Sequence, residues 1–171
     1  MPANHRLTRF TSAQDSPVAG FESALREIRA GRKSSHWIWY VLPQLSGLGT
    51  SEMSRTFALR DAADAADYVR DPVLGRRLLA IVSAIEEQLA THPGLSVATL
   101  MGSDIDARKL VSSLTLFEPV ARSLDGDHAP AWARALGDAS RAVLERAAAE
   151  GYPPCALTRG RLESGATPSS S

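Results

Sequence analysis

One stripe of apolar side chains constrains this chain more than any other feature. Leu74, Leu78, Ile81, Val82, Ile85 and Leu89 recur three and four residues apart. That spacing puts them on one face of an α-helix, and a strand would need alternation instead. Asp71-Pro72 stands just before the stripe, a capping side chain followed by a residue suited to a first helical turn. Thr91-His92-Pro93-Gly94 ends it, with His92 read as a solvated loop residue. No strand-like alternation of useful length appears elsewhere, and no internal repeat. Such a helix needs other helices to cover its stripe.

The same signals recur along the chain. Leu7 and Phe10 are anchors within a lead-in over residues 1–14. Asp15-Ser16-Pro17 predicts a helix start, with Val18, Phe21, Ala24, Leu25 and Ile28 inward and Gly31 as the stop. Thr50 or Ser51 predicts the cap of a short helix through Met53, Phe57 and Leu59. Asp61 with Asp64 resembles a capping box. Ser96 predicts a short helix through Leu100, stopped by Gly102. A further helix carries Leu110, Leu114 and Phe117 on one face, and Pro130 opens the last long one, through Trp132 and Leu136 to Gly151. Residues 152–162 are expected to be irregular, and 163–171, small and serine-rich, a disordered tail. The expected fold is all-α, a compact single-domain bundle of about seven helices, several short, over residues 5–162. A length of 171 residues suits one domain with a real core.

Charge and chemistry exclude several classes. Lys+Arg and Asp+Glu both total 19, so no strong non-specific attraction to nucleic acid is expected. No apolar run reaches the roughly 20 residues that span a bilayer, and the N-terminal residues lack the apolar core of a signal peptide. The single cysteine, Cys155, has no internal partner, which suits a reducing compartment. The expected location is cytoplasmic. His5, His36, His92 and His128 lack metal-ligand spacing, so neither metal nor cofactor is expected.

Residues 31–49 concentrate the unusual chemistry. Arg32 and Lys33 bring positive charge, His36 an imidazole, Trp37, Trp39 and Tyr40 flat apolar faces, and Gln44 a donor and an acceptor. The mixture suits a ligand with an anionic part and a planar ring. It equally suits a core helix whose ring tips find backbone partners. Gly47-Leu48-Gly49 reads as a structural turn, because no phosphate-loop pattern is present. Asp106, Lys109 and Ser113, three and four residues apart, share a second polar face. Asp106 and Lys109 read there as a solvated ion pair, or as an anion site in which Lys109 is helped by the hydroxyls of Ser112, Ser113 or Thr115.

Several of these residues carry a family resemblance. Arg9-Phe10, Ala13-Gln14, the Phe21-x-x-Ala24-Leu25-x-Glu27 helix and Gly31-Arg-Lys-Ser-Ser-His-Trp-x-Trp-Tyr40 belong to it. So do Pro43-Gln44, Gly47-Leu-Gly-x-Ser51, Pro72-Val-Leu-Gly-Arg-Arg-Leu78 and Asp106-x-x-Lys109-Leu-x-Ser-Ser-x-Thr-Leu-Phe117. Over residues 5–150 the chain resembles domain-of-unknown-function family 1810, small bacterial proteins. Ile38, Tyr40 and Leu42 depart from the family's usual Met, Phe and Phe. The resemblance implies a compact all-α fold and no established activity. The Lys, Trp and Asp pattern is also loosely similar to the NADAR superfamily, whose members act on N-glycosidic or ADP-ribosyl linkages.

Two functions are therefore expected to compete. In one, Arg32, Lys33 and Lys109 hold the phosphate of an ADP-ribose-like or NAD-like ligand, Trp37 or Trp39 stacks on its ring, and Gln44, Ser112, Ser113 and Thr115 complete the site. Asp106 or His36 would then move a proton, with hydrolysis of an N-glycosidic or ADP-ribosyl linkage as the reaction class. In the other, the chain is a non-catalytic protein-interaction module with its tryptophans in the core.

Overall fold

Leu74, Leu78, Ile81, Val82, Ile85 and Leu89 are all buried, as their spacing requires. They lie on α6 (Leu74–Thr91), whose first free N–H groups at Val73 and Leu74 are taken by the Asp71 carboxylate at 2.9 Å. The computed structural model describes residues 2–165. Among them it has nine further α-helices: α1 (Pro2–Gln14), α2 (Phe21–Arg29), α3 (Ile38–Val41), α4 (Glu52–Thr56), α5 (Ala62–Arg70), α7 (Val97–Met101), α8 (Asp104–Ser123), α9 (Ala133–Ala149) and α10 (Ala156–Gly165). A 3-10 turn spans Gly126–His128. No strand occurs among the described residues, only one parallel bridge from Leu45 to Leu59. The expected all-α single domain is present, with ten helices in place of about seven.

Helices α6, α8 and α9 form the centre, with α9 packed on both others, α2 on α6, α5 on α6 and α8, and α7 and α10 on α8. Side-chain caps set many of the starts. Ser51, Asp61, Ser96 and Ser103 accept from the N–H of Ser54, Asp64, Thr99 and Asp106 respectively. An aromatic group joins the early helices: Phe10 meets Tyr68 edge-on at 5.2 Å and Phe57 at 5.8 Å, and Tyr68 meets Phe117 at 5.4 Å. Buried Gln14 donates to Tyr40 O at 2.8 Å and to the Tyr68 hydroxyl at 2.9 Å. Burial pushes the Tyr68 hydroxyl well above its ordinary range. Gly75 allows α6 to meet α9, since a Cβ there would lie 2.4 Å from Trp132 Nε1, which donates to Val69 O at 2.7 Å.

Three local readings are corrected. The lead-in over residues 1–14 is helical as α1, tied down where the Arg9 guanidinium donates to Thr56 O at 2.9 Å and Ala58 O at 3.0 Å. Asp15-Ser16-Pro17 does not start a helix. Ser16 and Val18 close a tight turn, Val18 is 78% exposed, and α2 begins only after Gly20. Residues 156–162, expected to be irregular, are in α10, held by buried Thr158 and by Arg161, which donates to Ser46 O and to Arg60 O. Glu163 to Gly165 complete that helix, and the rest of the expected tail, 166–171, lies outside the described residues. No described helix is long and apolar enough to cross a membrane.

Leu78→Ala removes a side chain from the middle of this core, and urea unfolding should show a loss of about 2–5 kcal/mol. An unchanged midpoint would place the stripe outside the cooperative core.

Candidate functional site

The aromatic segment begins where α2 ends. Gly31 takes a φ of 92°, which turns the chain back along α2. The Glu27 carboxylate then gathers the returning loop. It accepts from the N–H of Ser34 and of Ser35 at 2.6 Å each, from the Ser35 hydroxyl at 2.7 Å and from Trp37 Nε1 at 3.3 Å. Burial alone would raise the Glu27 carboxyl, but these hydrogen bonds, led by Ser34 N–H, outweigh it and bring it down from 4.5 to about 2.

Lys33 turns inward from that loop. Its ammonium meets Asp106 Oδ2 on α8 at 2.7 Å, donates to Ser35 O at 2.6 Å and lies 5.0 Å from the Trp37 ring centre. Its side chain is 5% exposed and that of Asp106 17%. Lys33 N also donates to Leu100 O at 2.8 Å. Gly102, with φ of 83°, makes this approach possible, because a Cβ there would lie 2.7 Å from Lys33 O. Residues 33–44 and 106–109 thus meet, and Asp106 stands between two lysines, with Lys109 Nζ at 3.7 Å from its other oxygen.

The two tryptophans part at this point. Trp37 is fully buried and belongs to the core, so it offers no stacking face. Trp39 is only partly buried, and Lys109 Nζ lies 4.8 Å from its ring centre, a cation–π distance. The exposed His36 ring stands 6.5 Å from Trp39, tilted by 33°. Trp39 Nε1 is buried with no hydrogen-bond partner among the described residues, a state that costs about 1–3 kcal/mol. Trp39 also walls a small hollow shared with Gln44, Leu45, Leu48, Gly49, Ser54 and Phe57. Arg32 is exposed on the loop above.

The second polar face divides. At about 100° per residue, Ser113 stays within about 20° of Asp106, whereas Ser112 and Thr115 turn about 120–180° away. Ser113 is fully buried, and its hydroxyl has no partner. Thr115 donates to Val111 O at 2.7 Å and accepts from Cys155 N at 3.1 Å, so it joins α8 to the start of α10. Ser112 lines a separate cavity of about 180 Å³ with Arg108, Val111, Tyr152, Pro153 and Cys155. Burial would raise the Cys155 thiol, but the neighbouring polar groups of Thr158, Ser112 and Leu157 favour the thiolate and lower it below its ordinary 9.0. Of the expected site, the structure brings together His36, Trp39, Asp106 and Lys109, with Lys33 and Trp37 beneath them and Gln44 alongside. Among the described residues no group of three His, Cys, Asp or Glu side chains could hold a metal.

Charge, aromatic and spacing arguments all passed over Glu27. Its signal was indirect: Ser34 and Ser35 leave a loop whose N–H groups need an acceptor, and the nearest acidic residue in the chain is Glu27.

The family model for proteins of unknown function, DUF1810, matches residues 4–138. The crystal structure of the conserved hypothetical protein Rv1873 from Mycobacterium tuberculosis is similar, with 32% identity and a TM-score of 0.68 over 92% of this chain and 96% of that one. No curated protein matches.

The two lysines should separate on mutation. Lys33→Ala leaves Asp106 short of its buried partner and should cost about 3–5 kcal/mol in urea unfolding. Lys109→Ala loses a longer contact, 3.7 Å, at the partly exposed edge of the pair and should cost about 1 kcal/mol or less. Equal costs would refute this division. Glu27 gives a pH signature. Its carboxyl is lowered in the folded state, so its contribution is complete above about 4.5 and is lost as pH falls toward about 2. The stability gap between wild type and Glu27→Gln, about 1.5–3 kcal/mol at neutral pH, should close across that window. A gap that persists at pH 2 would show that the carboxylate is not the stabilising form.

Proposed function

The chain belongs to the DUF1810 family, and on that footing we propose that it binds a small anionic, nucleotide-like ligand of the ADP-ribose or NAD type beside Trp39. The observation that carries this reading is the Lys109 ammonium, 4.8 Å from the ring centre of a partly exposed tryptophan. A cation and an aromatic face side by side match a ligand that joins phosphate to a planar ring. Lys109 is held 3.7 Å from Asp106, against 2.7 Å for Lys33, so Lys109 is the cation more easily shared with an incoming anion. The exposed His36 ring stands 6.5 Å from Trp39, at the edge of the same face.

Hydrolysis of an N-glycosidic or ADP-ribosyl linkage is the reaction class attached to this reading. Asp106 is gripped by two lysines, which suits a charge-balancing role, while exposed His36 remains open to a substrate. The interaction-module reading, with the tryptophans in the core, accounts for Trp37 and leaves the orphaned N–H of Trp39 unexplained.

ADP-ribose, NAD and AMP should quench the intrinsic tryptophan fluorescence saturably. Lys109→Ala should weaken binding about fivefold to tenfold, the worth of one cation contact, and added salt should weaken it further. Absence of saturable quenching up to millimolar ligand would end the proposal.

A further inference from the structure

We infer that the hollow walled by Trp39, Gln44, Gly49 and Ser54 is an oxyanion subsite, in which the Trp39 indole N–H receives one oxygen of a ligand's phosphate or carboxylate. The inference deepens the proposed function and rests on Trp39 being the ligand-facing aromatic.

The three tryptophans differ at the indole nitrogen. Trp37 Nε1 donates to Glu27 at 3.3 Å, and Trp132 Nε1 donates to Val69 O at 2.7 Å. Of the three, only Trp39 Nε1 is buried with no partner among the described residues. An indole nitrogen is a donor only, so what it lacks is an acceptor. The hollow beside Trp39 has about 10 Å³ of free room, which is about one water or one ligand oxygen. Its other polar walls are also able to donate. The Gln44 amide has no hydrogen-bond partner among the described residues. Ser54 pairs its hydroxyl with Ser51 at 2.8 Å. No carboxylate lines the hollow. Lys109, 4.8 Å from the ring centre of the same indole, adds positive charge and favours an anionic oxygen over a neutral one. Gly49 keeps the wall thin, because a Cβ there would lie 2.4 Å from Ser54 Oγ.

Indole N–H resonances test this directly. With three tryptophans in the chain, a ¹H–¹⁵N spectrum should show three indole signals, and Trp39→Phe identifies the one for Trp39. AMP should move that signal downfield saturably and leave the Trp132 signal in place. Inorganic phosphate should move it in the same direction at higher concentration, and adenosine, which brings the ring without the oxyanion, should not reproduce the downfield shift. Replacement of Trp39 by benzothienylalanine keeps the bicycle and removes the N–H. It should weaken AMP about fivefold, the worth of one hydrogen bond, without changing the affinity for adenosine. If fluorescence shows saturable AMP binding while AMP moves the Trp39 signal no further downfield than adenosine does, the subsite is overturned and the proposed function survives. A signal already downfield in the free protein and unmoved by AMP means a resident water holds the bond, which also overturns it. An equal shift with adenosine overturns the oxyanion assignment. If neither method detects binding, the proposed function and the subsite fall together.

Discussion

The buried contact between Lys33 and Asp106 is what the arrangement of this molecule turns on. An ammonium and a carboxylate taken out of water each lose strong hydration, and only close pairing with further hydrogen bonds makes that tolerable. Lys33 has both, with Asp106 at 2.7 Å and Ser35 O at 2.6 Å. The pair joins a loop after α2 to the first turn of α8, two segments far apart in the chain. Once it forms, Trp37 is sealed beneath it and Trp39 is left at the rim beside Lys109. The division between a core tryptophan and a surface one follows from where the buried charge sits.

Glu27 supports the same loop from the other side. It accepts from two successive N–H groups and a hydroxyl at the edge of the fold, which fixes the turn of the loop. Glu27 and Asp106 thus do related work from different helices: one fixes the loop's backbone and the other its lysine. Neither needs to touch a ligand for the geometry at Trp39 to depend on it.

Much of the fold was legible because its signals are local. The stripe on α6 and the caps at Ser51, Asp61, Asp71 and Ser96 depend on residues within a few positions of one another. What escaped depends on distant partners. Asp15-Ser16-Pro17 carries a helix-start pattern, yet Ser16 bonds to Val18 and closes a turn instead. Helix α10 contains Gly160 and has little apolar periodicity, and its anchors are Ser46 and Arg60, more than a hundred residues earlier. At the site, spacing alone placed Asp106 and Lys109 on one face and could not tell which lysine would be buried. Ser112 and Thr115 follow Lys109 on the same helix, but Ser112 lines the cavity at Cys155 and Thr115 accepts from Cys155 N, contacts that no local spacing reveals.

The shortness of α3 has a consequence for motion. This helix is a single turn, closed by Val41 N to Trp37 O at 3.1 Å and Leu42 N to Ile38 O at 3.0 Å. One turn has almost no stability of its own, since nucleation outweighs what a couple of hydrogen bonds return. The backbone carrying Trp39 is therefore ordered on loan from its neighbours. Trp37, Ile38, Tyr40, Val41 and Leu42 are buried in the core, so the turn should open only together with that core and not ahead of α6 and α8. A ligand seated on Trp39 would then tighten the region it touches, and its presence would be readable in the backbone protection of residues 37–42 as well as in the indole.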